Sequence, residues 1–176
     1  TQGVRISGDA TDGSGVQGNV IGTDSDGVFA IGNRFAGVLI DAGAGGSVIG
    51  GPQTGAENII SGNGTFGVRI TGHGTSEHTV QGNLIGLDHT ATVAVGNANH
   101  GVRIDEGAQQ NTIGGADEAA NVIGGNSGDG VRIDGGGTDE NVVIGNVIPT
   151  SGSEPELANA GQTVFVGAET QHNVTD

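Results

Sequence analysis

At 176 residues the chain has the length of one domain, with 38 glycines and only 33% hydrophobic residues. Twenty acidic residues against five arginines and no lysine give a net charge of −15. That balance argues against nucleic acid, whose phosphates need a basic footprint, and against an anionic membrane surface. The absence of cysteine excludes disulfides and thiolate metal sites, and no apolar run is long enough to insert into a bilayer.

One phrase organises the chain. Gly3-Val4-Arg5-Ile6 returns as Gly37-Val38-Leu39-Ile40, Gly67-Val68-Arg69-Ile70, Gly101-Val102-Arg103-Ile104 and Gly130-Val131-Arg132-Ile133, at steps of 34, 30, 34 and 29 residues. Thr163-Val164-Phe165-Val166 is a weaker sixth copy. β-Branched residues at i and i+2 mark a strand with one buried face. Val4, Ile6 and their copies are therefore predicted to be buried, and Arg5, Arg69, Arg103 and Arg132 exposed. Repeats at this period are the signature of a solenoid. A helical solenoid is excluded, because glycine interrupts every window and no 3.6-residue apolar period persists.

A second level of repetition, 64 residues long, relates Gly3 to Gly67, Asn19 to Asn83 and Asn33 to Asn97. Two kinds of coil thus alternate. The first, typified by 67–100, has a strand at Val68–Ile70, then Thr79-Val80-Gln81, a Gly82-Asn83 corner, Leu84-Ile85 and a long loop. The second, typified by 101–129, runs through Val102–Ile104, Asn111-Thr112-Ile113, a Gly114-Gly115 loop and Asn121-Val122-Ile123, and closes with a short turn. Residues 1–148 read as such coils, 149–163 as a long loop rich in Pro, Ser and acid, and 164–176 as a final degenerate coil. The expected fold is all-β, a parallel solenoid of about five coils with three short strands each. Corner asparagines are expected to stack in two groups, Asn19, Asn83 and Asn146 in one, Asn58 and Asn121 in the other.

The motifs Gly18-Asn19-Val20-Ile21-Gly22, Gly32-Asn33 through Gly37-Val38-Leu39-Ile40, and Asn121-Val122-Ile123-Gly124-Gly125-Asn126 carry a resemblance. The chain resembles the right-handed parallel β-helix proteins of the pectate-lyase-like superfamily, above all the Gly/Asn-rich repeats of secreted and cell-surface prokaryotic proteins. The resemblance implies the fold. It leaves function open among polysaccharide lyases, hydrolases, epimerases, adhesins and viral spikes.

Four of the five arginines, Arg5, Arg69, Arg103 and Arg132, occupy the outward slot of the first strand, with Leu39 and Phe165 in the other coils. Two positions on stand Asp41, Asp105 and Asp134, beside Ser7, Thr71 and Gly167. The resemblance makes this a candidate carbohydrate-facing strip; the plainer reading is a ladder of exposed ion pairs, each contributing little. A single reaction needs residues that break the repeat. The breaks are Leu39, His73, His78, His89 and His100, the histidines reading as polar surface. Gly72-His73-Gly74 resembles the Gly-His-Gly of polygalacturonases, without that family's paired aspartates or its lysine. Asp24 and Asp26, with Asp88 in the next copy, read as a fragment of a calcium loop lacking its remaining oxygen ligands, or as turn chemistry. Asn63-Gly64-Thr65 and Asn173-Val174-Thr175 fit the N-glycosylation pattern at Asn63 and Asn173.

Mostly interchangeable coils imply a structural or adhesive extracellular, cell-surface or virion segment without catalysis or cofactor. A carbohydrate-active enzyme is the alternative. Because the chain opens inside a repeat, its partners are expected to be further coils or neighbouring subunits stacked on its ends, with polysaccharide as a further ligand. The lysine-free acidic composition also predicts adaptation to high salt, where screening relieves self-repulsion. The melting temperature should therefore rise from about 10 mM to about 1 M sodium chloride, over which the Debye length falls from about 30 to about 3 Å. A flat or falling melting temperature would count against salt adaptation.

Overall fold

The computed structural model describes residues 1–176. Alternating Val and Ile bounded by glycines allow strands of only two to four residues. Such strands gain partners only from neighbouring coils. The first coil contains β1 (Val4–Ser7), β2 (Gly15–Val16) and β3 (Val20–Ile21), and the second β4 (Val38–Asp41), β5 (Val48–Gly50) and β6 (Ile59–Ile60). The third contains β7 (Val68–Thr71), β8 (Thr79–Gln81) and β9 (Leu84–Ile85), and the fourth β10 (Val102–Asp105), β11 (Thr112–Gly114) and β12 (Val122–Ile123). In the fifth, β13 (Val131–Ile133) and β14 (Val142–Ile144) are followed by a bridge at Val147. Strands β15 (Val164–Val166) and β16 (Val174–Thr175) complete the order.

These strands form three parallel sheets, ordered β1-β4-β7-β10-β13-β15, β2-β5-β8-β11-β14-β16 and β3-β6-β9-β12. The register follows the repeated phrase: Val4 pairs with Val38, Val38 with Val68, Val68 with Val102, and Val102 with Val131. The fold is thus a parallel β-solenoid of about five turns with three strands per turn. Its core is a cluster of 20 buried residues, including Val16, Ile49, Val80, Ile113 and Val143 from the second sheet and Ile21, Ile60, Ile85 and Ile123 from the third. Ile6 through Ile133 are buried as the alternation predicts; Val4, on the outermost strand, is half-buried. No helix is long and apolar enough to cross a membrane.

The glycine that opens each phrase is required by sterics. A Cβ on Gly37 would lie 2.6 Å from the Ile60 methyl, 2.8 Å from Asn63 Nδ2 and 2.9 Å from the Gly67 carbonyl. Where another strand stacks beyond it, only glycine lets the chain enter the first sheet at this spacing; Thr163 opens β15, the last strand of the sheet.

Three side-chain ladders close the corners. In the first, Asn58 Oδ1 accepts from the Asn19 backbone N–H at 3.0 Å and its Nδ2 at 3.1 Å; Asn83, Asn121 and Asn146 repeat the pattern. The second runs Asn33, Asn63, Asn97, Asn126, Asn159. The third runs Ser47, His78, Asn111, Asn141, Asn173. The two expected asparagine groups are therefore one ladder. Coils two and four insert residues 51–57 and 115–120 between their second and third strands, whereas coils one and three place their long loops after the third strand. The inserted loops alter spacing along the chain while leaving each corner stacked on the next. Asn159 belongs to the second ladder, so the 149–163 segment rejoins the solenoid before β15.

A buried rung carries more than a terminal one. Truncating Asn83 leaves the Asn58 N–H and amide without their acceptor and removes donors to the Ile49 carbonyl and Asn121. Asn83→Ala should cost about 3 kcal/mol, since each orphaned buried donor costs about 1–3 kcal/mol. Asn19→Ala, at the end of the ladder, should cost under about 1 kcal/mol. Urea denaturation of both variants checks the ladder; equal losses would sink it.

Candidate functional site

The outward face of the first sheet gathers the strip that the sequence singles out. Pairing is diagonal for Arg5, Arg69 and Arg103, each reaching the aspartate of the following coil, whereas Arg132 pairs within its own turn. Arg5 Nη2 lies 2.7 Å from Asp41 Oδ2, and Arg69 grips Asp105 through Nε at 3.1 Å and Nη2 at 2.8 Å. From there the chain of charges is continuous. Arg69 also meets Glu106 at 3.1 Å, Arg103 Nη2 meets Asp134 at 3.1 Å, and Arg132 bridges Asp134 at 2.7 Å and Asp129 at 3.1 Å. Arg103 Nε lies 2.6 Å from Asp105 Oδ2 without the alignment of a hydrogen bond, and is buried with no other partner.

The expected exposure of these arginines needs correction. Only Arg5 is exposed, its side chain at 56%; Arg69, Arg103 and Arg132 fall to 26–28%, and the Asp105 side chain to 2%. Aromatic rings account for the difference. Arg69 and Arg103 lie over Phe66 at 5.7 and 5.5 Å, and Arg132 over Phe165 at 4.0 Å. Burial, which would lower the Arg69 pKa, is outweighed by its bonds to Asp105, so the group is raised and stays charged. Asp41, despite its own desolvation, is pulled below the ordinary carboxylate range by Arg5.

Coil two interrupts the row. Leu39 is buried in the arginine slot, and Phe35, Ala36, Phe66, Arg69, Gln2 and Thr65 join it around a recess of about 210 Å³. Arg34, the one arginine outside the ion-pair network, lies 5.4 Å over the Phe35 ring. Two of the chain's four phenylalanines meet here. Phe35 and Phe66 were legible as rare residues just ahead of the repeated glycine, but only the register places them beside Leu39.

Two histidines expected on the surface are buried. His78 replaces asparagine in the third ladder and is fully enclosed: Nδ1 accepts the Ser47 N–H at 3.0 Å, which places the proton on Nε2, 2.9 Å from the Ala44 carbonyl. His100 stacks on Phe66 at 5.9 Å and accepts the Asp129 N–H at Nδ1, 2.8 Å away. Both rings are held neutral, because burial lowers their pKa more than nearby acceptors and acids raise it. His73 and His89 are exposed.

Asp24 accepts the Val28 and Phe29 N–H groups at 2.9 and 3.0 Å, and Asp88 those of Thr92 and Val93, both at 2.9 Å, with the Thr90 hydroxyl at 2.6 Å. Asp24 is held below the usual carboxylate range by its backbone bonds; at Asp88 the Thr90 and backbone bonds outweigh desolvation. Asp26 is exposed. No three His, Asp or Glu side chains converge as a metal-holding group. Asn63 and Asn173 are both ladder rungs. The Asn63 Nδ2 is bonded to Asn97 and the Ile21 carbonyl, and that of Asn173 to the Thr138 carbonyl. A glycan at Asn63 would have to break the buried rung.

Comparison of the chain with protein-family models, curated proteins and solved structures returned no match.

The buried histidines give a pH dependence of stability. Unfolded, both take up a proton near pH 6.5; folded, they do so only at lower pH. The unfolded state then binds more protons, so stability is whole above about pH 6.5 and falls as pH drops below it. The lowered aspartates act in a separate window, below about pH 4. His78→Asn restores the residue used at 111 and 141, and should make the fall in melting temperature between about pH 7.5 and about pH 5 shallower. An unchanged slope would refute the assignment of His78.

Proposed function

We propose that this chain is a non-catalytic structural or adhesive segment of an extracellular, cell-surface or virion assembly, such as a stalk, fibre or spike. The observation that supports this reading is the direction of the ladders. Each asparagine presents Oδ1 toward the preceding coil and its N–H and Nδ2 toward the following one. Any coil carrying the same rung can therefore stack head to tail on either end, from the same polypeptide or a neighbouring subunit. The arginines and aspartates of the first sheet likewise bond one another from coil to coil, which stiffens a rod and leaves few free groups for chemistry.

One observation favours a carbohydrate-active second reading. The Phe35–Leu39–Phe66 recess breaks the repeat, has apolar walls suited to a sugar ring, and carries Arg69 at its rim. A polysaccharide panel separates the two, with unsaturated products read at about 235 nm and reducing ends read for hydrolysis. On the structural reading no substrate turns over, and any retained glycan is lost on Phe66→Ala without a change in product. Reproducible turnover abolished by Arg69→Gln would overturn it.

A further inference from the structure

The third strand of every coil is an apolar doublet: Val20-Ile21, Ile59-Ile60, Leu84-Ile85, Val122-Ile123 and Val147-Ile148. Strand alternation turns the second member inward, so the first must face out. Val20, Ile59, Leu84, Val122 and Val147 are register partners and form one unbroken apolar column on the outside of the solenoid. The outward slot of the first sheet is largely ionic by contrast, and that of the second mixes Gly15, Val48, Thr79, Thr112, Val142 and Val174. The ends of the column, Val20 and Val147, are 40% and 54% exposed, and the three between them are half-buried.

The alternating loops make the middle of this column, at Leu84 and Val122, the floor of a groove, whereas Gly27 of the coil-one loop lies against Ile59. Coil three lacks the insertion that coils two and four place before the third strand, which opens a recess of about 410 Å³ over Leu84. Pro52 and Gln53 line it from coil two, Glu118 and Ala120 from coil four, and His89 from the coil-three loop. Charge indicates what fits. Glu57 and Glu118 line the recess, are exposed, and belong to no ion pair. Arg5, Arg69, Arg103 and Arg132 project from the first sheet, and Arg34 stacks beside it on Phe35. A second copy would set acidic rim against acidic rim within a molecule of net charge −15.

We propose that this groove is a docking site for an amphipathic helix with basic flanks, supplied by another protein. The recess spans coils two to four, two strand spacings or about 10 Å, which equals about seven residues of helix at 1.5 Å each. The floor is a sheet face rather than an edge, so it offers side-chain packing and no backbone pairing. A helix burying residues at i, i+3, i+4 and i+7, with Arg or Lys beside them, meets both the apolar floor and the carboxylate rim.

The probe is a fluorescent 15-residue Leu/Arg peptide with leucines at that spacing, read by anisotropy. Controls are a shuffled peptide of the same composition and a Leu/Glu helix. The Leu/Arg helix should saturate the intact chain, and the two controls should not. Leu84→Asn should weaken binding about tenfold, consistent with the loss of one apolar contact, and Glu118→Gln should weaken it about threefold, while Glu169→Gln, on the last coil, leaves it unchanged. Leu84 faces outward, and circular dichroism checks that its variant stays folded. Equal binding of the shuffled peptide, no binding of the Leu/Arg helix, or indifference to Leu84→Asn would overturn the proposal. So would self-association relieved by Leu84→Asn, which would assign the groove to a second copy.

Discussion

The fold depends on the match between a primary amide and the spacing of parallel strands. A corner leaves backbone N–H groups pointing along the solenoid axis, where the sheets cannot reach them. An asparagine carries one oxygen and two N–H donors on a short stem, so it can accept from the coil on one side and donate to the coil on the other. With strands about 4.8 Å apart, the amides meet at 2.9 Å along Asn63, Asn97 and Asn126. Three such columns, one per corner, satisfy polar groups that would otherwise be buried without partners. They also hold the coils in register, so that Val stacks on Val and Ile on Ile.

The third ladder shows what the constraint asks of a side chain. His78 holds an asparagine position because its ring offers an acceptor at Nδ1 and a donor at Nε2, the same two functions as an amide. Its neutrality follows from that role. The ladder starts in the second coil without an asparagine, Ser47 donating only its backbone N–H to His78 Nδ1. Chemistry rather than residue identity therefore defines the rung, which is why His78 reads in one dimension as an interruption and in three as a continuation.

With core and corners given over to stacking, individuality is confined to the outward slots and the loops. The first sheet uses its outward slot for a zigzag of charge running from Arg69 through Asp105 and Asp134 to Arg132, interrupted in coil two by Leu39 and the phenylalanines around it. The third sheet does the opposite and turns an apolar column outward, half-buried between its exposed ends. Loops emerging on alternate sides in alternate coils then shape what lies over these faces. A 64-residue double repeat is thus a way of making grooves on an otherwise uniform rod. It provides the surface features on which the proposed adhesive or structural role would depend.

The strands, their inward columns, the number of coils and the alternation of two coil types were all determined by the sequence alone. A strand of Val-x-Ile buries the same two side chains wherever it stacks, and the spacing of Gly-Val-x-Ile states how often it stacks. The pairing of the corners was decided only in three dimensions. Loops of unequal length separate Asn58 and Asn121 from Asn19, Asn83 and Asn146 along the chain, yet the axis brings all five into one column. The same holds for Asp105, which belongs to an exposed-looking Asp row in sequence but is enclosed by arginines from two coils. Periodicity records distance along the polypeptide; burial and hydrogen bonding answer to distance along the solenoid axis, and the two coincide only where no loop intervenes.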